Sequence, residues 1–273
     1  TTTPTDTPSP TPTPTVVKIP PNKPRSKYYA KGIIDPVSGG SGAYLHNLPL
    51  LSEGGPMETN FILHYASSLA RVGETGLPRG FWWTPLELAS FEHASKPEDS
   101  FFSAQIFSGE IIAFRRDGNG WIPVDTASSD LAANASTVVW SLRETDDYFH
   151  LFDPVAQEVH SFRKLSSGQA RLSQVTDPNG NHLHYVYATE EDHLPIRVED
   201  GLGRWLAFTY QQVGDGTALV MVTDQAGRQV TLGHEANGAD NAQAWTLRSV
   251  TDAVTETTTF SCAAPTGAGE SWE

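Results

Sequence analysis

Cys262 is the only cysteine in 273 residues, so an intrachain disulfide is impossible. Packing and hydrogen bonds must hold the chain, whether in a reducing compartment or in a secreted protein that does without disulfides. Positive charge is also scarce. Eighteen Lys and Arg stand against 32 Asp and Glu, giving a net charge of −14. Residues 1–31 hold five of the basic side chains (Lys18, Lys23, Arg25, Lys27, Lys31) against Asp6, so they carry +4 and the remainder −18. Such a body repels phosphate backbones, and no nucleic-acid partner is expected. No apolar run reaches the length of a membrane span. Helical periodicity is nearly missing; one short helix around residues 128–134 is the best candidate. There is no Gly-x-Ser-x-Gly elbow, no phosphate-binding Walker loop and no His-Glu-x-x-His.

What the chain has in quantity is turns. Asp177-Pro178-Asn179-Gly180, Asp200-Gly201-Leu202-Gly203 and Asp224-Gln225-Ala226-Gly227 repeat one Asp-x-x-Gly pattern, with degenerate copies at Asp153 and Asp252. The steps between the aspartates are 24, 23, 24 and 28 residues, and a period of this size marks a repeat architecture. Two residues before each Asp stands an aliphatic residue: Leu151, Val175, Val198, Val222, Val250. Six after it come Val159, Leu183, Leu206, Val230 and Thr258; eight after it come Tyr185, Phe208, Leu232 and Phe260, with Ser161 as the exception. Ten after it come Tyr187 and Tyr210, then His234 and Cys262, where the pattern fades. Alternate residues share one strand face, so each unit reads as strand, tight turn, strand with one apolar face. Ordinary hairpins of a β-sandwich give a looser version of the same signal.

Before the repeats, residues 1–15 form a Thr/Pro tract, an extended spacer of the kind found between extracellular domains and often O-glycosylated. The chain starts at Thr, which suggests a processed or excised piece whose leader lies outside it. Candidate strands are 61–65, 82–91, 106–107, 111–115, 121–124, 137–143 and 148–152. Asp117-Gly118-Asn119-Gly120 reads as a hairpin turn. The expected organisation is a linker with a basic approach (1–31), an irregular β segment (32–145), hairpin repeats (146–262) and a tail (263–273). The fold class is all-β, with consecutive hairpins forming part of a spiral sheet or shell.

Residues suited to chemistry are few. His182 and His184 share the outer face of a strand, and two imidazoles without a third ligand bind a metal weakly. The segment from Asp177 imitates an EF-hand loop but has His182 where Gly is needed and Ala188 where the bidentate Glu belongs. No metal or cofactor is therefore expected. The acidic clusters 144–147 and 190–192 offer carboxylates for glycoside hydrolysis if a cleft brings them together; as loop residues they also read as solvated charge. Phe81-Trp82-Trp83 is the densest aromatic spot. Trp82 or Trp83 could stack on sugars, although neighbours in a strand point to opposite faces, so at least one belongs to the core. Asn134-Ala135-Ser136 is a formal glycosylation sequon.

Taken in order, these phrases resemble the RHS/YD-repeat family. Val175-Thr176-Asp177-Pro178-Asn179-Gly180-Asn181, Asp200-Gly201-Leu202-Gly203-Arg204 and Val222-Thr223-Asp224-Gln225-Ala226-Gly227-Arg228 are similar to its repeat. Upstream, Asp35-Pro36-Val37-Ser38-Gly39, Leu63-His64-Tyr65-Ala66-Ser67-Ser68, Gly80-Phe81-Trp82 and residues 114–120 resemble the segment that opens such an array. The chain departs from the pattern at Leu63, Ala66 and Thr255. The resemblance, over about residues 32–262, implies hairpins wound into a spiral shell wall or adhesive surface of a large extracellular or cell-surface protein. Its expected partners are further repeats of the same polypeptide, a C-terminal effector or a cell-surface glycan. It implies no catalytic residue. A carbohydrate-binding module and a glycoside hydrolase fragment are the alternatives.

Overall fold

The computed structural model describes residues 45–66, 76–78, 80–92, 100–106, 111–124, 140–214, 216–236 and 245–260. Among them the chain is all-β, with antiparallel, hairpin-linked strands and no helix. The Thr/Pro tract, the 35–39 phrase, the 128–134 segment, the sequon, Cys262 and the 263–273 tail lie outside the described residues.

The first three strands, β1 (Leu45–Glu53), β2 (Thr59–Ala66) and β3 (Phe81–Thr84), make an antiparallel sheet in that order. Strand β1 escapes a sequence reading because Pro49 interrupts it; the ladder accommodates the proline with a bulge between Pro49 and Leu51. The expected strand 82–91 is two strands in different sheets, β3 and β4 (Leu88–Glu92). Pro85 has no N–H to give to a ladder, and Leu86 N–H turns back to the Trp83 carbonyl at 3.0 Å. The expected strand at 106–107 is displaced to β5 (Phe101–Gln105), with Ile106 just beyond its end.

A fifteen-stranded sheet continues from there. Strands β6 (Ile111–Asp117) and β7 (Gly120–Val124) form the hairpin turned at Gly118-Asn119, where Gly118 takes φ 55°. Next come β8 (Ser141–Glu144), β9 (Tyr148–Asp153), β10 (Glu158–Lys164) and β11 (Gln169–Thr176). Strand β11 is a fork. It pairs with β10 along one edge, while its other edge is shared by β4 at residues 169–171 and by β12 (His182–Val186) at residues 174–176. Since β7 also lies beside β8, strands β4–β11 close a ring. Its interior is aromatic: Phe102 lies 4.8 Å from Phe149 and 5.9 Å from Phe162, and Phe91 lies 4.9 Å from Phe149 between ring centroids. From the fork a simple meander runs outward through β12, β13 (Arg197–Asp200), β14 (Trp205–Val213), β15 (Gly216–Asp224), β16 (Gln229–Ala236), β17 (Trp245–Thr251) and β18 (Thr257–Thr259). Strand β8 pairs with β9 across the expected 145/146 boundary, so opening segment and repeats are hydrogen-bonded together there.

The apolar face of the meander packs on the three-stranded sheet. Phe208 sits 4.5 Å from Trp83 and 6.5 Å from Phe61 between ring centroids. Leu151, Val175, Val198, Val222 and Val250 are all buried, as are Leu183, Leu206, Val230, Tyr185, Phe208 and Leu232. Each such side chain contributes about 1.5–3 kcal/mol by leaving water.

The hairpin turned at Asp153 departs from the expected face. Asp153 pairs with Glu158, so its loop is one residue longer than the others. The left-handed residue is Gln157 (φ 58°) rather than Ala156. A one-residue slip sends every following side chain to the other face. Val159 and Ser161 are consequently only half-buried, while Glu158, His160 and Phe162 point inward. The expectation that Val159 is an inward position is corrected by this slip, and the exception noted at Ser161 is explained by it. At the other end, Thr258 is exposed because β18 lies at the margin of the sheet.

Candidate functional site

The five turns connect odd strands to even ones, so they line one rim of the fifteen-stranded sheet. Their geometry is almost constant. In each, the Asp Oδ1 accepts the N–H two residues on: Val155, Asn179, Leu202, Ala226 and Val254, at 2.7–3.0 Å. In the last four it also accepts the N–H four residues on, at Asn181, Arg204, Arg228 and Glu256. The fourth residue takes positive φ: Gly180 at 82°, Gly203 at 85°, Gly227 at 79°, and Thr255 at 70° in the copy without glycine. This is a three-residue hairpin loop closed by an aspartate that caps its own turn.

A second layer of bonding distinguishes the central turns. Asn181 Nδ2 returns to Asp177 Oδ2 at 2.8 Å, Arg204 Nε to Asp200 Oδ2 at 2.7 Å, and Arg228 Nε to Asp224 Oδ2 at 2.5 Å. Burial disfavours the charge on Asp200 and Asp224. The backbone and side-chain donors of Arg204 and Arg228 outweigh it and hold both carboxyls below the ordinary range. At the tips, Val155, Leu202 and Val254 stand out in solvent, 57%, 69% and 72% exposed. These apolar tips had no signal in the spacing of the repeat.

The position ten after Asp177, Asp200 and Asp224 carries a further constant. Tyr187 donates its hydroxyl to the Leu172 carbonyl at 2.5 Å, Tyr210 to Pro195 at 2.9 Å, and His234 donates Nε2–H to Leu219 at 2.7 Å; each acceptor lies fifteen residues earlier. The sequence pattern fades at His234, but the bond does not: imidazole replaces phenol as the donor. Burial lowers the His234 pKa, which leaves the neutral ring that makes this contact. Bulges at Thr209/Tyr210 and Gly233/His234 aim two of these side chains.

The loop between β1 and β2 lies across the same rim. Glu53 receives Arg228 Nη2 and, at 2.9 Å, Gln225 Nε2; Arg228 also reaches the Ser52 carbonyl at 3.1 Å. Gly55, at φ 130°, lies so close to the Arg204 guanidinium that a Cβ there would stand 1.9 Å from Nη2. Pro56 and Met57 border a cavity of about 190 Å³ shared with His182, Asp200 and Leu202. Further ties are Leu219 N–H to the Gly76 carbonyl at 2.7 Å and the Tyr185 hydroxyl to the Pro85 carbonyl at 2.8 Å. The opening segment therefore contacts three successive units through polar groups as well as apolar ones.

Trp82 and Trp83 are both interior, 7% and 0% exposed. Trp83 packs with Phe61 and Phe208, and Trp82 stacks on His64 at 5.0 Å. Neither presents an open ring face as a sugar platform. Burial lowers His64 to about 4, so its ring is neutral: Nδ1–H donates to Asn47 Oδ1 at 2.8 Å and Nε2 accepts from the Thr84 hydroxyl at 2.7 Å. The acidic clusters are engaged structurally. Lys164 (2.6 Å), Arg116 and the Trp121 N–H converge on Glu144 and, against burial, hold its carboxyl below the ordinary range. Glu190 meets Arg163 at 2.5 Å, while Arg171 holds the same loop through the carbonyls of Thr189 and Asp192. His182 is half-buried and His184 exposed, as expected for the outer face. Among the described residues, no three His, Cys, Asp or Glu gather at metal-binding distances, and no helix is long and apolar enough to cross a membrane.

No protein-family profile matches this sequence, and no curated protein matches it.

Proposed function

We propose that this chain is a non-catalytic structural module: the opening segment and first hairpins of an array of the YD-repeat kind, in a large secreted or cell-surface protein. One observation carries the reading. The same backward bond, from the position ten after the turn to a carbonyl fifteen residues earlier, recurs at Tyr187, Tyr210 and His234. A construction repeated unit by unit builds a wall or surface, with stability that is a sum of units and their interfaces. The Thr/Pro tract suits an extracellular setting. In this role the module is shell wall for a C-terminal effector or an adhesive surface, and its first partners are further repeats of the same polypeptide.

The test is a chain shortened to end at Ala236, which removes β17 and β18. The array reading expects a lower melting temperature with β1–β16 still folded by near-UV circular dichroism and amide exchange. Loss of the whole tertiary signal would overturn it. Surface biotinylation of intact source cells tests the location: a chain labelled only after lysis contradicts the extracellular assignment.

A further inference from the structure

Pro85, Leu86 and Glu87 form the short crossing between the three-stranded sheet and the ring. Every part of the molecule holds this crossing. On the sheet side Leu86 N–H bonds the Trp83 carbonyl. From the meander, Tyr185 donates its hydroxyl to Pro85. From the ring, His160 Nδ1 stands 2.8 Å from Glu87 Oε2, with the Glu87 side chain wholly buried and His160 3% exposed. Glu87 Oε1 is also buried and makes no hydrogen bond. A carboxylate in such surroundings is tenable only with a compensating charge. Two further buried carboxylates, Glu158 on β10 and Asp153 at the end of β9, act on the same imidazole through their charge. The Trp140 ring lies 5.9 Å from it. This polar cluster exists because of the slip at Gln157, which turned Glu158 and His160 inward.

We propose that His160 and Glu87 form a proton-operated latch: protonated His160 holds the crossing onto β10, and loss of that proton leaves only a neutral Nδ1–H hydrogen bond to Glu87 and loosens the crossing from the ring. Burial alone would strip the proton from His160. Glu87 first, then Glu158 and Asp153, outweigh burial and raise the pKa above the ordinary 6.5. The unfolded chain titrates near that ordinary value. The latch therefore contributes fully below pH 6.5. Between 6.5 and the raised value the folded form keeps a proton that the unfolded form has lost, and the folding constant falls about tenfold per pH unit. Above the raised value the charge pairing is gone and only the neutral hydrogen bond remains. This inference stands whether or not the chain opens an array.

Imidazole-nitrogen NMR of the histidine-labelled chain tests it, with His160 assigned by the signal lost in His160→Gln. The expected result is a His160 midpoint above 6.5 that moves downward in Glu87→Gln. Exchange of the Leu86 amide, corrected for its intrinsic pH dependence, should rise as His160 deprotonates. A His160 midpoint at or below 6.5 overturns the latch, and so does Leu86 exchange that stays level through the titration. Should Glu87→Gln fail to fold, the wild-type titration and the Leu86 amide decide alone.

Discussion

The hairpins turned at Asp153 and at Asp200 begin with the same residue and bond the same Oδ1, yet they bury different chemistry. At Asp200 the three-residue loop puts Leu206 and Phe208 inward; at Asp153 one added residue puts Glu158 and His160 inward instead. The first joins a uniform apolar face under the three-stranded sheet. The second supplies the ring with a buried charged pair. Loop length, and not the repeat motif, decides which face a strand offers the core, because side chains alternate with a period of two.

The harshest way to break the comparison is to give the Asp200 turn the longer loop. Inserting one alanine between Leu202 and Gly203 would turn Leu206 and Phe208 outward. Each lost burial costs about 2–5 kcal/mol, and a domain has about 5–15 kcal/mol in all. The expected outcome is loss of the cooperative melting transition by circular dichroism. Next in size, Leu206→Ala should destabilise by about 2–5 kcal/mol in urea unfolding, whereas Val159→Ala, on the face exposed by the slip, should cost under about 1 kcal/mol. Equal costs would contradict the slip.

Asp200→Asn sharpens the electrostatic side. It keeps the shape of the turn but weakens the return of Arg204, for an expected loss of about 1–3 kcal/mol at neutral pH. The folded pKa of Asp200 is depressed, so its contribution is present above the unfolded value near 4 and lost as pH falls through the depressed one. The gap between wild type and variant should therefore close in acid; a gap constant from pH 7 to pH 2 would refute that cause. A modest effect is expected from Tyr210→Phe, which removes one hydroxyl bond to Pro195 and should cost about 0.5–1.5 kcal/mol; the smallest is Leu202→Asn at the exposed tip, with no measurable change expected.

Much of the meander was legible because several signals coincided. The aliphatic residue two before each Asp, the turn glycine and the alternation after it agree for the units at Asp177, Asp200 and Asp224, and there the inward face is as expected. The slip at Asp153 was hidden because neither Ala156 nor Gln157 is a glycine, so nothing marked which one takes positive φ. The backward bond of His234 was hidden because His and Tyr share a donor but not a place on an apolar scale. Strand β1 was masked by Pro49, and the fork at β11 leaves no local trace, since one strand meets three partners with a single sequence. Trp83 was expected to have a core side and does; Trp82 is buried where it stacks on His64, which no spacing in the sequence brings beside it.

The backward direction of the ties has a consequence for synthesis. Tyr185, Tyr187, Tyr210, His234 and Arg228 all reach acceptors made earlier in the chain, and Leu219 N–H does the same with Gly76. Each hairpin leaving the ribosome or an export channel N-terminus first finds its acceptors already in place, so the wall can be laid one course at a time without waiting for the rest of the polypeptide.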